Sequence, residues 1–330
     1  MKNLLRALPI ALLGALAIVV TLNAQDKKKP ETWEEKAAAR LKPVAGQLKD
    51  NIDAAIPGKA TATPKKARRI LSFWRCGGFI HTSIPAGNYA LEQMAAKTGA
   101  YQIDASDDYA VFTKENLAKY DVIVFNNTTN LKFPEESMRE AILEFMGAGK
   151  GVVGIHAASD NFNNWEAGAE MIGGQFNGHP WNQGGRWAFQ LDDPSHPVNK
   201  AFNGEGFWHT DEIYQYKPST FAGAKKLRLL VSLDMSKEEN TKILGEKKNK
   251  EKSMKDYGTE GARPVPVSWV REYGGGRVFY TNLGHREDTF ANNAVLQHIL
   301  DGVQYAAGDL EADATPTGDN PGAPAPAPAK

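Results

Sequence analysis

The chain has 330 residues, 42% hydrophobic and 24% charged, with a formal net charge of zero. That is globular composition, enough for one large domain or two small ones, and the absence of a basic excess argues against nucleic acid as a partner. Cys76 is the only cysteine, which excludes an intrachain disulfide and any structural zinc site built from several cysteines.

The first segment reads as an export signal over residues 1–24. Lys2 and Arg6 precede an apolar run from Ala7 to Leu22, and Ala24 supplies the small residue at the expected cut. The run is shorter than the ~20 residues of a spanning helix. The expectation is a mature chain beginning near Gln25, periplasmic or extracellular, with no membrane attachment after cleavage. Residues 25–68 are rich in Ala, Lys, Glu and Pro and read as a linker, with Trp33 to Leu48 able to form a short charged helix. Residues 309–330 are Ala/Pro-rich and read as a disordered tail.

Between these ends strand and helix patterns alternate. Arg69 to Trp74, Tyr101 to Asp104, Asp121 to Asn126 and Gly151 to Ile155 read as strands. Asn88 to Lys97 and Pro134 to Met146 read as helices, each closed by glycine. Alternation of this kind predicts βαβ units and a parallel sheet. The second half is richer in strand patterns, at Arg186 to Leu191, Lys226 to Leu233, Pro266 to Glu272 and Gly276 to Tyr280. A helix from Phe290 to Ala306 closes the region. Lys237 to Asp256 reads as a solvated insertion, and Gly274-Gly275 as a hairpin turn.

The most informative stretch is Gly151-Val152-Val153-Gly154-Ile155-His156-Ala157-Ala158-Ser159-Asp160. A buried strand ends at His156, where open α/β sheets bind ligands. Gly-x-His-x-Ala places an imidazole where a nucleophile elbow would carry Ser or Cys. His81, Asn126, Asn127 and Thr128 also follow strands and should meet His156 at one rim. His285 and Arg286 end a further strand and are expected to join them. Two chemistries suit such a set: a divalent metal held by imidazole and carboxylate, and metal-free acid–base catalysis. No His-x-x-x-His spacing decides between them, so the cofactor stays open. His81, His156, His179 and His285 are the candidate metal ligands. His156, Asp160, Glu212 and His285 are the candidate catalytic groups, with His156 or Glu212 as base and Asp160 orienting His156. His81, Asn126, Asn127, Thr128, Trp181 and Arg286 are the candidate substrate contacts, Trp181 and Trp208 being placed to stack on a sugar ring.

These motifs resemble the ThuA-like, or trehalose-utilisation, family. The matching residues are Arg75 with Gly78-Phe79-Ile80-His81, Asn126-Asn127-Thr128, Gly154-Ile155-His156-Ala157-Ala158 and Gly178-His179-Pro180. They continue with Asp211-Glu212-Ile213-Tyr214 and Leu283-Gly284-His285-Arg286. The resemblance covers residues 69–308 as one domain. It implies a fold similar to class I glutamine amidotransferases, a flavodoxin-like three-layer α/β sandwich with a mainly parallel sheet and extra β-rich insertions. Those amidotransferases need a cysteine at the elbow. His156 stands there instead, so glutamine hydrolysis is not expected. The resemblance implies a role in glycoside catabolism beside enzymes that oxidise sugars at C3. The expected activity is acid–base or metal-assisted action on a glycoside or 3-keto glycoside. The alternative is a non-catalytic sugar-binding protein using the same pocket. Either way the expected partner is a small carbohydrate.

Overall fold

The computed structural model describes residues 31–217, 220, 225–245, 265–319 and 324–330. The expected leader at 1–24 lies outside the described residues, as does most of the Lys-rich insertion. By contacts the chain divides into residues 1–32 and a compact unit, Trp33–Lys330, which carries the fold. No helix among the described residues is long and apolar enough to cross a membrane.

The strands are β1 (Arg69–Phe73), β2 (Gln102–Ser106), β3 (Val122–Asn126), β4 (Gly151–Ile155), β5 (Arg186–Leu191), β6 (Phe207–Thr210), β7 (Arg228–Leu233), β8 (Val265–Tyr273) and β9 (Gly276–Thr281). They form one sheet in the order β2-β1-β3-β4-β9-β8-β7-β5-β6. The first five in this order are parallel. From β9 onward each neighbour is antiparallel. The β-rich second half is therefore not an appendage but the continuation of the same sheet. The α-helices are α1 (Trp33–Arg40), α2 (Gly46–Ala55), α3 (Ile84–Thr98), α4 (Lys114–Leu117), α5 (Glu136–Gly147), α6 (Glu166–Ile172), α7 (Glu238–Thr241) and α8 (Asn293–Ala307).

Two apolar cores explain the three layers. Ile70, Val122, Val124, Val153 and Ile155 face α2, α3 and α8. Leu71, Ile123, Phe125 and Val152 face α4, α5 and α6. Successive side chains of a strand point to opposite faces, so strands covered on both sides read as unbroken apolar runs. That is why β3 and β4 are buried throughout.

Helix ends follow local chemistry. Helix α3 begins earlier than expected, with Pro85 in its first turn, and ends at Gly99 in the left-handed region. The expected closing helix is split because the Asn292 side chain accepts from the N–H groups of Ala294 and Val295 and starts α8 there. Tyr273 pairs with Gly276 across Gly274 and Gly275, both at positive φ, which is the expected hairpin.

Both chain ends correct the reading made from composition. Residues 33–56 are not linker. Pro43 separates two helices, and Ile52, Ala55 and Ile56 are buried in the core against α3 and α8. The tail is not disordered in its described residues. Leu191 and Ala327 exchange backbone hydrogen bonds, and Leu229 N–H donates to Thr317 Oγ1. Composition misjudged these segments because they pack through backbone pairing and a few isoleucines rather than through a long apolar period.

Candidate metal centre

Strand direction explains why distant residues meet. Strands β1, β4 and β9 run parallel, and four successive antiparallel pairings return β6 to the same direction. All four strands therefore end at one rim. His81 follows β1, His156 follows β4, Glu212 follows β6 and His285 follows β9. The four side chains each offer one donor atom, and these atoms lie within 4.8 Å of one another.

Local structure fixes each donor. His156 holds φ at +46°. A non-glycine residue in that region is costly and marks a site that the surroundings over-determine. This is the strained turn of a nucleophile elbow, carrying imidazole. Gly154 makes it feasible, because a Cβ there would lie 2.9 Å from the Tyr280 ring and 3.1 Å from Ala158 Cβ. His81 sits on a loop tied to the end of β3, where Gly77 N–H donates to Thr129 O and Thr129 Oγ1 donates to Phe79 O. His285 is positioned through Asp211, whose carboxylate accepts from the N–H groups of Gly284 and Arg286 and from Thr289 Oγ1. Its own backbone leads directly to Glu212. After β6 the chain crosses the rim, pairing Ile213 with Trp181 and donating Tyr214 N–H to Asn282 Oδ1.

The hydrogen bonds also set proton positions. His156 Nδ1 lies 2.7 Å from the Asn282 carbonyl oxygen. That oxygen only accepts, so Nδ1 carries the proton and Nε2 is left with a bare lone pair. His285 Nε2 lies 3.1 Å from Gln183 Oε1, which turns Nδ1 toward the cluster. His285 Nδ1 faces His156 Nε2 at 3.2 Å, and Glu212 Oε1 lies 3.1 Å from His285 Nδ1 and 3.8 Å from His156 Nε2. Tetrahedral ligands about 2.1 Å from a zinc-like ion stand about 3.4 Å apart. The donor separations bracket that value. His81 Nδ1 is buried without a hydrogen-bond partner, a second sign that a group belongs there. Burial drives the His81 imidazole down to about 3, and burial followed by its imidazole neighbours holds His156 well below its usual range. Both are neutral at physiological pH, the ligating form. The donor set fits a divalent cation of zinc type, and the carbonyl behind His156 is the outer contact such ligands characteristically make.

The remaining predicted residues divide. His179 stands beside the cluster, with Nδ1 3.1 Å from Glu212 Oε2 and its side chain 51% exposed. Arg286 is paired with Asp288 and lines the adjoining pocket. Asp160 does not orient His156. The 3-10 turn from His156 to Asp160 carries its carboxylate to the Asn163 amide, and the Asn282 carbonyl holds the ring instead. Trp181 is no stacking platform, being fully buried with its indole N–H on Asn240 O. Trp208 keeps part of its surface and donates to Lys330 O. Asn126 is buried under α3, bonded to Ile84 O and Asn88 Oδ1. Asn127, at φ +52°, donates to Gly284 O and braces the rim from within, while Thr128 is buried beside it. Asn282 and Gln183 carry roles that no single-residue signal revealed, whereas Asp211 was legible as the partner of Glu212 in the acidic pair Asp211-Glu212.

A pocket of about 470 Å³ opens beside His81 and His285, its lining including Phe79, Gln183, Arg286 and Arg40. With this geometry in view, similarity decides the family. The family described as ThuA, trehalose utilisation, matches residues 69–306. The chain belongs to that family. A carbohydrate-related role goes with the family's description. Two solved ThuA-like proteins share the fold. One, from Bacteroides uniformis ATCC 8492, is 22% identical, with a TM-score of 0.54 over 74% of this chain and 94% of its own. Another, from Parabacteroides merdae ATCC 43184, is 20% identical, with a TM-score of 0.53 over 75% and 93%. No curated protein matches this sequence.

Proposed function

We propose that this ThuA-family chain is an exported, divalent-cation-dependent enzyme acting on a glycoside oxidised at C3. The observation that carries the proposal is the convergence of His81, His156, Glu212 and His285 within 4.8 Å beside a pocket of about 470 Å³. A cation held by these four residues would supply a Lewis acid for a carbonyl oxygen.

The chain's own groups account for the rest. A C3 carbonyl acidifies the proton at C2. Removing that proton forms the C1–C2 double bond as the C1–O bond breaks, and the departing alkoxide takes a proton. His156 and Glu212 face the cluster and are committed to it. His179 is the imidazole placed to carry the proton, half exposed and held by the outer oxygen of Glu212. Gln183 fixes His285 and shares the pocket lining with it.

The test begins with metal analysis of the purified chain, then turnover on simple glycosides and their 3-keto forms. About one cation per chain is expected, with turnover of keto forms lost on chelation and restored by zinc or manganese. His179→Ala should lower kcat by about 10²–10⁴-fold while retaining the metal. A metal-free chain would overturn the centre. Sugar binding without turnover in the parent would establish the non-catalytic alternative. N-terminal sequencing of the secreted fraction tests export, and an intact Met1 confined to the cytoplasm would refute it.

A further inference from the structure

One wall of the pocket comes from outside the region matched by the family. The match begins at residue 69, yet Arg40 at the end of α1 and Leu48 in α2 both line the pocket. Arg40 donates through Nε to the Ile80 carbonyl and places its guanidinium 4.5 Å from the centre of the Phe79 ring. Phe79 is 53% exposed, the one large apolar side chain so exposed among the described residues. It is not loosely placed. The Thr129 hydroxyl donates to its carbonyl, and its ring meets that of His81 edge-on at 4.8 Å. The preceding loop has no slack, since a Cβ on Gly77 would lie 2.1 Å from Asn130 O. A rigid loop thus presents an aromatic ring to the pocket two residues before a member of the metal cluster.

We propose that Phe79 and Arg40 form the ring-binding wall of this site, the apolar face of a pyranose lying on Phe79 and the Arg40 guanidinium donating to its hydroxyls. This rests on the carbohydrate reading above. The chemistry of the wall selects such a ligand. A pyranose is apolar on its C–H face and polar around its edge. Here a planar fork of N–H donors lies over one face of a ring that stays half exposed. A flat apolar ligand would need an apolar enclosure. The rest of the lining includes Thr82, Gln183, Arg286, Glu287 and Asp288, all polar. Among the described residues Arg40 is held by a carbonyl and a ring rather than by a carboxylate, so its charge is not already neutralised by a partner. The amino-terminal helices therefore take part in substrate recognition from outside the residues that the family match covers.

The experiment uses the full mature chain as purified, with methyl α-D-glucoside and its 3-keto form as probes. Saturation-transfer NMR and titration calorimetry read binding. Phe79→Ala and Arg40→Ala should each weaken binding about tenfold, the scale of one aromatic contact. Phe79→Trp should retain it, and all three should keep the parent's metal content and melting temperature. Unchanged affinity in Phe79→Ala and Arg40→Ala would overturn the wall and leave the carbohydrate reading standing. A parent that binds neither sugar would overturn both. Weakened binding accompanied by lost metal would show that the pair only supports the cluster, and would also overturn the wall.

Discussion

His156 Nε2 and His285 Nδ1, 3.2 Å apart with Glu212 against them, bring three donor atoms to one point that a cation would join. Glu212→Gln and His156→Ala should therefore each lose the cation, with at least a 10–100-fold fall in metal affinity, since even outer contacts of such sites have that effect. Their melting temperatures without metal should stay near the parent's or rise, as groups at functional sites are commonly costly to stability. Calorimetric metal titration and thermal melts check both statements. Asp211 is different in kind. Burial pushes its carboxyl up to about 6, yet it gathers the N–H groups of Gly284, Glu212 and Arg286. Asp211→Asn should cost about 1–3 kcal/mol in denaturant unfolding, the scale of a buried polar group left poorly paired. The rim histidines were legible in the sequence because each follows an apolar strand and a turn. Trp181 and Asp160 were misread because neighbours in the chain do not reveal which way a side chain points. Asn282 escaped notice because its hold on the His156 ring is through its backbone carbonyl, which every residue possesses.

At the scale of elements, the alternating patterns placed β1, β3, β4 and β5 to within a residue or so, because both faces of these strands are covered or alternate cleanly. The ends were misjudged for a physical reason. A helix such as α2 needs only Ile52 and Ala55 to dock, too few to rise above a charged background. Composition alone favours trimming the chain to residues 66–310. The packing of α2 and the pairing of Ala327 with Leu191 reverse that expectation. Such a truncation should lose its cooperative melting transition or melt well below the parent. Ile52→Ala, at a fully buried position, should cost about 2–5 kcal/mol in denaturant unfolding. A truncated chain that melts like the parent would show these contacts to be negligible.

For the whole molecule, pH dependence follows from buried groups outside the metal cluster. His298 is enclosed, with Ser268 Oγ at one ring nitrogen and the Val198 carbonyl at the other, and burial lowers it to about 4 from an ordinary 6.5. Between pH 6.5 and 4 the unfolded chain binds the proton that the folded chain refuses. His298 therefore contributes stability above pH 6.5 that is lost as pH falls toward 4, at up to about 1.4 kcal/mol per pH unit. Asp192 and Asp301, raised by burial to about 6, act in the opposite sense. Each favours the folded state below its unfolded pKa and loses that contribution as pH rises through about 6. The comparison that isolates His298 is the difference in slope between the parent and His298→Gln. The variant should show a smaller loss of stability on acidification over that window. Equal slopes in urea titrations would mean that the imidazole is not excluded from solvent as its enclosure implies.

The four converging donors lie far apart in the chain, at positions 81, 156, 212 and 285, yet each waits at the end of a strand pointing the same way. No hairpin or βαβ unit contains more than a fraction of them, and pairings between such distant strands are slow to form. Cation capture at the proposed centre would thus mark the last stage of folding. During refolding from denaturant, a competing metal-sensitive dye should surrender its ion only in the slowest phase, once the edge strand bearing Glu212 has been zipped into place. Uptake in an early phase would mean that a partial sheet already brings the donors together.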